Sequence, residues 1–250
     1  MIIDYGFDTI SAGVRTVVTI GSFDGVHSGH KVLLSALKQM AQRLDAESVV
    51  ITFDPHPRIA MGRAEGMGLL TTIEERALLL EREGVDRMVV ARFDESFRSQ
   101  PYDAFVRESL VAKLGMVGMI VGYNHRLGRG NEGNYESLLP LASECGFELE
   151  CVSQHLVDGA KISSTVVRDV MSRGDMREVA HLLGQRYIVM GEAKSGIVTI
   201  ADEYKLIPAS GFYEANVTYN NIRCSAQVQI LDRRVVLAEK VDGRVIIELK

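Results

Sequence analysis

The sequence predicts an α/β protein: a doubly wound parallel sheet over residues 1–185, then a small antiparallel β-barrel-like domain over residues 186–250. Three observations point there. β-Branched runs such as Thr16–Ile20 and Ser48–Phe53 suit strands buried on both faces of a parallel sheet. Segments with apolar residues at helical spacing alternate with these runs. From Arg186 the helical spacing ceases, and six short strand-like runs follow, parted by turn residues such as Asn220-Asn221 and Asp242-Gly243.

The elements follow in order. Residues 1–14 suggest no more than an edge strand. Thr16–Ile20 runs into a turn with glycines at 21, 25 and 29, and Val32, Leu33, Ala36, Leu37 and Met40 then mark a helix. Ser48–Phe53 is the second buried strand. It empties into Asp54-Pro-His-Pro-Arg58, where two prolines forbid regular structure. A capping box at Thr72 and Glu75 opens the next helix, and Gly84 ends it. Asp86–Ala91 and Met116–Val121 are the third and fourth strands, with a helix from Pro101 between them; Phe93, Phe97 and Phe105 are read as core. Tyr135–Glu144 is a helix and Phe147–Val152 the fifth strand. After a turn at Asp158-Gly159, a helix opens at Ser163 or Ser164, and Asp175 caps a shorter one ending at Gly184.

Composition narrows the function. The chain has 33 acidic and 28 basic side chains among 250 residues and no basic block, which argues against nucleic acid. No run is apolar enough to span a bilayer, and the start lacks a signal-peptide profile. Cys145, Cys151 and Cys224 have no metal spacing and read as buried or partly buried free thiols of a reducing compartment. A soluble cytoplasmic protein without nucleic-acid or membrane partners is expected; oligomeric state stays open.

Candidate site residues fall at strand ends. A glycine-rich turn opening a helix offers free N–H groups and a helix dipole to a phosphate. His27 and His30, three apart, are placed to donate hydrogen bonds to one; a cap residue and a loop histidine are the alternative. In open parallel sheets ligands sit beyond the strands' carboxyl ends. Asp54–Arg58 and Gly122–Gly133 are therefore either ligand loops or plain connectors. Ser164, Thr165 and Arg168 share a helix face in this reading, either clamping a polyphosphate or serving as an ordinary cap with an exposed arginine.

Gly-Ser-Phe-Asp-Gly-Val-His-Ser-Gly-His30 resembles the His-x-Gly-His signature of the Rossmann-like nucleotidyltransferase superfamily, and within it the bacterial riboflavin kinase/FMN adenylyltransferase (FAD synthetase) family. Thr-Phe-Asp-Pro-His-Pro-Arg58 resembles the flavin branch's own motif, and Ile-Ser-Ser-Thr-x-x-Arg168 the superfamily's second signature. The resemblance implies transfer of the adenylyl group of ATP to FMN, giving FAD and pyrophosphate, with Mg2+ bridging phosphates through no named protein ligand. It implies His27, His30 and Arg168 as catalytic groups, the last two at a pocket rim. It implies Gly21, Phe23, Asp24, Gly29, Asn124, Ser163, Ser164 and Thr165 as nucleotide ligands. Phe53, Pro55, His56, Pro57, Arg58, Asn124 and Arg126 would face the flavin. His125 and Leu127 depart from the family's aromatics. In the barrel, Leu206-Ile-Pro-Ala-Ser-Gly-Phe-Tyr213 resembles the flavokinase strand entry, but Glu192–Lys205 lacks the Gly-x-Pro-Thr-Ala-Asn motif and the helical C-terminal portion is missing. A degenerate barrel without riboflavin kinase activity is expected. The rival readings are a nucleotidyltransferase for another phosphorylated small molecule and a non-catalytic flavin or nucleotide binder.

Overall fold

The computed structural model describes residues 1–8, 13–157 and 159–250; Asp158, half of the expected Asp158–Gly159 turn, lies outside them. The chain divides into two compact units, one of residues 1–23, 29–65 and 79–155, the other of residues 24–28, 66–78 and 156–250.

The first unit holds β1 (Ile2–Tyr5), β2 (Thr16–Ile20), β3 (Glu47–Asp54), β4 (Arg87–Arg92), β5 (Met116–Gly122) and β6 (Glu148–Val152). They pair in the order β1-β4-β3-β2-β5-β6, every neighbour parallel. All five residues of β2 are buried, as its β-branched run requires. Strand order reverses at β2, between β3 and β5, so a crevice is expected past its carboxyl end. Its helices are α1 (Ser28–Arg43), α2 (Pro57–Ala60), α4 (Glu95–Ser99), α5 (Tyr102–Ala104) and α6 (Tyr135–Cys145); α3 (Ile73–Arg82), between α2 and α4 in the chain, belongs to the second unit as far as residue 78. α5 runs on as a π-helix, Phe105–Lys113, closed by Leu114 N–H donating to Ser109 O, five residues back, at 3.3 Å. A reciprocal cap between Asn134 and Ser137, at 2.8 and 2.9 Å, starts α6, and Gly146 at φ 75° ends it.

In the second unit, β7 (Leu156–Val157) and β8 (Ala160–Lys161) form a hairpin too short to read from sequence. α7 (Ser164–Ser172) and α8 (Met176–Leu183) follow, α8 capped by Asp175 and ended by Gly184 as expected. Six antiparallel strands then close a barrel: β9 (Tyr187–Lys194), β10 (Ile197–Thr199), β11 (Gly211–Tyr219), β12 (Ile222–Leu231), β13 (Arg234–Leu237) and β14 (Gly243–Leu249). Val167, Val170, Val179 and Leu183 of the two helices share one buried cluster with Val189, Val198, Val228 and Ile247 of the barrel. Cys145 and Cys151 are partly buried, whereas Cys224 is exposed, because it lies on the solvated half of β12. Among the described residues no helix is long and apolar enough to cross a membrane.

A fully buried ion pair sits in this unit. Lys205 Nζ donates to Glu75 Oε2, Leu70 O and Ile188 O, each at 2.7 Å, which uses all three of its protons. It also lies 4.2 Å from the centre of the Tyr187 ring. Glu75 accepts from Met190 N–H at 2.8 Å and Thr72 N–H at 2.9 Å, so the expected capping box exists and does a second task. Burial lowers the lysine's pKa against the opposing pull of Glu75. Lys205→Met strands a buried carboxylate and is expected to cost about 3–5 kcal/mol, whereas adding Glu75→Gln recovers part of the loss. Urea unfolding of the single and double variants measures this.

Candidate active site

The turn after β2 is strained and held at nearly every residue. Phe23 and Val26 take left-handed φ values of 46° and 43°, which is costly for a β-branched valine, about 1–3 kcal/mol. In the second unit, Asp24 O accepts from Ser164 Oγ at 2.8 Å and Gly25 N–H donates to Thr71 Oγ1 at 3.1 Å. Gln185 Nε2 donates to Gly25 O at 3.3 Å and Val26 O at 3.5 Å, and Ser28 Oγ to Leu182 O at 2.9 Å. Gly25 at φ 85° leaves no room for a Cβ, which would lie 2.7 Å from Leu70. His27 is buried in this turn. Burial pushes its imidazole from 6.5 down to about 4, against the nearby Asp24 carboxylate, so at neutral pH it is an uncharged donor and acceptor. His30 stands in the first turn of α1, its ring 4.8 Å from the ring of buried Phe23.

The second signature differs from its expected geometry. Ser163 is the N-cap of α7, its hydroxyl accepting from Val166 N–H at 3.4 Å. Ser164 and Arg168, one turn apart, both bond Asp24, while Thr165 is exposed. Asp24 thus engages two of the three side chains. Arg168 Nη2 pairs with the fully buried Asp24 carboxylate, and its Nε donates to Gly68 O at 2.7 Å. Only 14% of the Arg168 side chain is exposed, so the rim position expected of it gives way to a buried ion pair.

The first unit carries a cavity of about 560 Å³ beyond the ends of β2, β3 and β4, next to the loop that follows β5. Gly21, Phe53, Pro57 and Arg126 are among the residues that line it. Pro55, His56, Arg58 and Asn124 do not: His56 is buried and caps α2, Nδ1 accepting from Arg58 N–H at 3.2 Å, and the other three are exposed. Sequence reading missed Phe93, Phe97, Arg63, Arg98 and Arg129, which also line the cavity. Phe93 and Phe97 are half-buried cavity wall, not closed core, because they follow the carboxyl end of β4. Phe97 is central to an aromatic cluster, 5.7 Å from Phe53, 5.8 Å from Phe93 and 5.2 Å from Phe105. Arg98 pairs with Glu95, whereas neither Arg63 nor Arg126 has a carboxylate partner among the described residues. The loop is pinned by Gly128, where a Cβ would fall 2.6 Å from Tyr102, and by Arg129 N–H donating to Gln100 O at 2.9 Å. Chemically, the cavity suits a flat aromatic ligand with an anionic group.

The barrel segment expected to lack a phosphate loop is a tight hairpin. β9 and β10 join through Ser195-Gly196, φ 50° and 81°, and Lys194 pairs directly with Ile197. Thr199 lies within β10.

A doubly wound sheet with a glycine turn, a His-x-Gly-His motif and an appended barrel defines a nucleotidyltransferase-like α/β protein. The chain belongs to the FAD synthetase family, whose model matches residues 10–166. It is 31% identical over 200 residues to a bifunctional riboflavin kinase/FMN adenylyltransferase of Haemophilus influenzae, covering 80% of this chain and 63% of that one. The Listeria monocytogenes protein of that description is 32% identical over 208 residues, 83% of this chain and 63% of that one. The matches thus span less than two thirds of these relatives. A crystal structure described as a macrolide-efflux protein from Streptococcus pneumoniae matches with TM-score 0.85 and 23% identity, covering 100% of this chain and 98% of that one. At that identity the likeness concerns the fold alone.

A pH dependence follows from His27. Its folded pKa, about 4, lies below the ordinary 6.5, so the unfolded chain binds a proton first as pH falls. The stability at stake is whole above 6.5 and is lost progressively towards about 4. From pH 7 to 5 the native chain is expected to lose about 2 kcal/mol more than a His27→Gln variant, read by urea unfolding at both values.

Proposed function

We propose that the chain is an FMN adenylyltransferase: a phosphate oxygen of FMN attacks the α-phosphorus of ATP, the bond to the β-phosphate breaks, and FAD and pyrophosphate form. The observation that carries this is the phenylalanine-walled cavity in which Arg63 and Arg126 have no carboxylate partner among the described residues, a fit to an isoalloxazine ring and a phosphate. Family membership supports the nucleotide half. The attacking phosphate is already ionised near neutral pH, so no general base is needed. Catalysis is then positioning and stabilisation of charge on the transferred phosphate. In this reading His27 and His30 hydrogen-bond the α-phosphate. Gly21, Gly29, Ser163 and Thr165 serve the nucleotide phosphates, and Phe53, Pro57, Phe93, Phe97 and Arg126 the flavin. Mg2+ arrives as the ATP complex and is part of the substrate. A cytoplasmic enzyme without nucleic-acid or membrane partners fits these substrates.

Incubation with MgATP and FMN is expected to give FAD, resolved by chromatography; no FAD beside turnover of another phosphorylated acceptor overturns the proposal. Arg126→Ala is expected to raise the KM for FMN about tenfold while changing that for ATP little. We also propose that the barrel does not phosphorylate riboflavin, because β9 and β10 meet in a two-residue hairpin at 195–196 and Glu192–Lys205 lacks the Pro-Thr-Ala-Asn motif. FMN formed from riboflavin and MgATP at a rate near that of adenylylation would count against it.

A further inference from the structure

We infer that Ser164 and Arg168 are positioning residues that act through Asp24 on the His27 turn, and that they do not grip phosphate themselves. The inference rests on the proposed adenylyl transfer and concerns how that site is held. Asp24 has no exposure, and a buried carboxylate needs hydrogen bonds from inside the protein. It receives them from Leu70 N–H at 3.1 Å, Thr71 N–H at 2.9 Å, Thr71 Oγ1 at 3.2 Å and Arg168 Nη2. Its carbonyl takes Ser164 Oγ. α7 therefore holds Asp24 twice, by side chain and by main chain, three residues before His27.

The strain at Val26 explains why so much is committed there. A buried valine at φ 43° stays only if its neighbours fix the backbone around it. Asp24 and Gly25 form the upstream anchor of that strained segment, and Gln185 and Ser28 the downstream one. Releasing the upstream anchor lets the turn relax and moves His27 from its place. Arg168 also neutralises the Asp24 carboxylate, whose bare charge would oppose an incoming polyphosphate. With both groups so engaged, exposed Thr165 is left to meet phosphate.

A double-mutant cycle separates the two roles. If Arg168 acts through Asp24, then Asp24→Asn and Arg168→Met each lower kcat/KM by about tenfold or more, and the double variant is no worse than the weaker single by more than about twofold. A direct phosphate contact predicts losses that multiply, and that result overturns the inference. Amide exchange gives a readout free of activity. In Arg168→Met the Leu70 and Thr71 amides, both donors to Asp24, are expected to exchange about tenfold faster, and unchanged exchange overturns the inference as well. Should Arg168→Met fail to fold, Arg168→Gln takes its place in the cycle, since it removes the charge that meets the Asp24 carboxylate and keeps a polar side chain. A wild-type chain that makes no FAD would defeat the functional proposal, and the exchange of the two amides then decides the clasp alone.

Discussion

Two carboxylates in this protein, Asp24 and Glu75, have no exposure to water, and the structure around residues 68–75 is what makes that tolerable. Leu70 donates its N–H to Asp24 and gives its carbonyl to Lys205, so one residue serves both buried charges. Leu69 pairs with the 204–206 segment, its N–H donating to Tyr204 O at 2.6 Å and its carbonyl accepting from Leu206 N–H at 2.7 Å. Buried ion pairs of this kind add little net stability over apolar packing, but they penalise any arrangement that leaves a partner behind. In the structure Glu75 of α3 accepts from Met190 of the barrel strand β9, and Arg168 of α7 satisfies Asp24.

Much of the fold was legible because the signals were local. β2 and β3 are β-branched runs, and parallel strands covered on both faces need that. The six barrel strands announced themselves through turn residues, Asn220-Asn221 among them, whose positive φ values suit a two-residue hairpin. What was not legible had no local signature. β7 and β8 are two residues each, and the π-helical stretch from Phe105 uses apolar spacing that reads equally well as an α-helix.

The site shows the same division. Glycines and histidines of the turn after β2 stood out by type and spacing. Asp24, Ser164 and Arg168 did too, but sequence cannot tell a side chain that meets a ligand from one that meets the main chain 140 residues away, as Ser164 meets the Asp24 carbonyl. The cavity wall was harder still. Phe93 and Phe97 look like core residues because aromatic side chains usually are, and only the topology places them past a strand end beside Phe53. His56 shows the converse error, since a residue in the most diagnostic loop turns out to cap a helix.

The hairpin of β11 and β12 has a consequence for modularity. Its strands pair over nine consecutive residue pairs, from Gly211 with Ile230 to Tyr219 with Ile222. That long ladder holds the two strands together well beyond the turn, and Asn220 and Asn221 at its tip are both exposed. Loop closure entropy rises only slowly with length, so the tip is a natural port at which a guest segment can be inserted. It lies apart in sequence from Glu75, Lys205 and Asp24. A barrel of this kind can thus acquire a new binding loop while the buried charges that fix its architecture stay untouched.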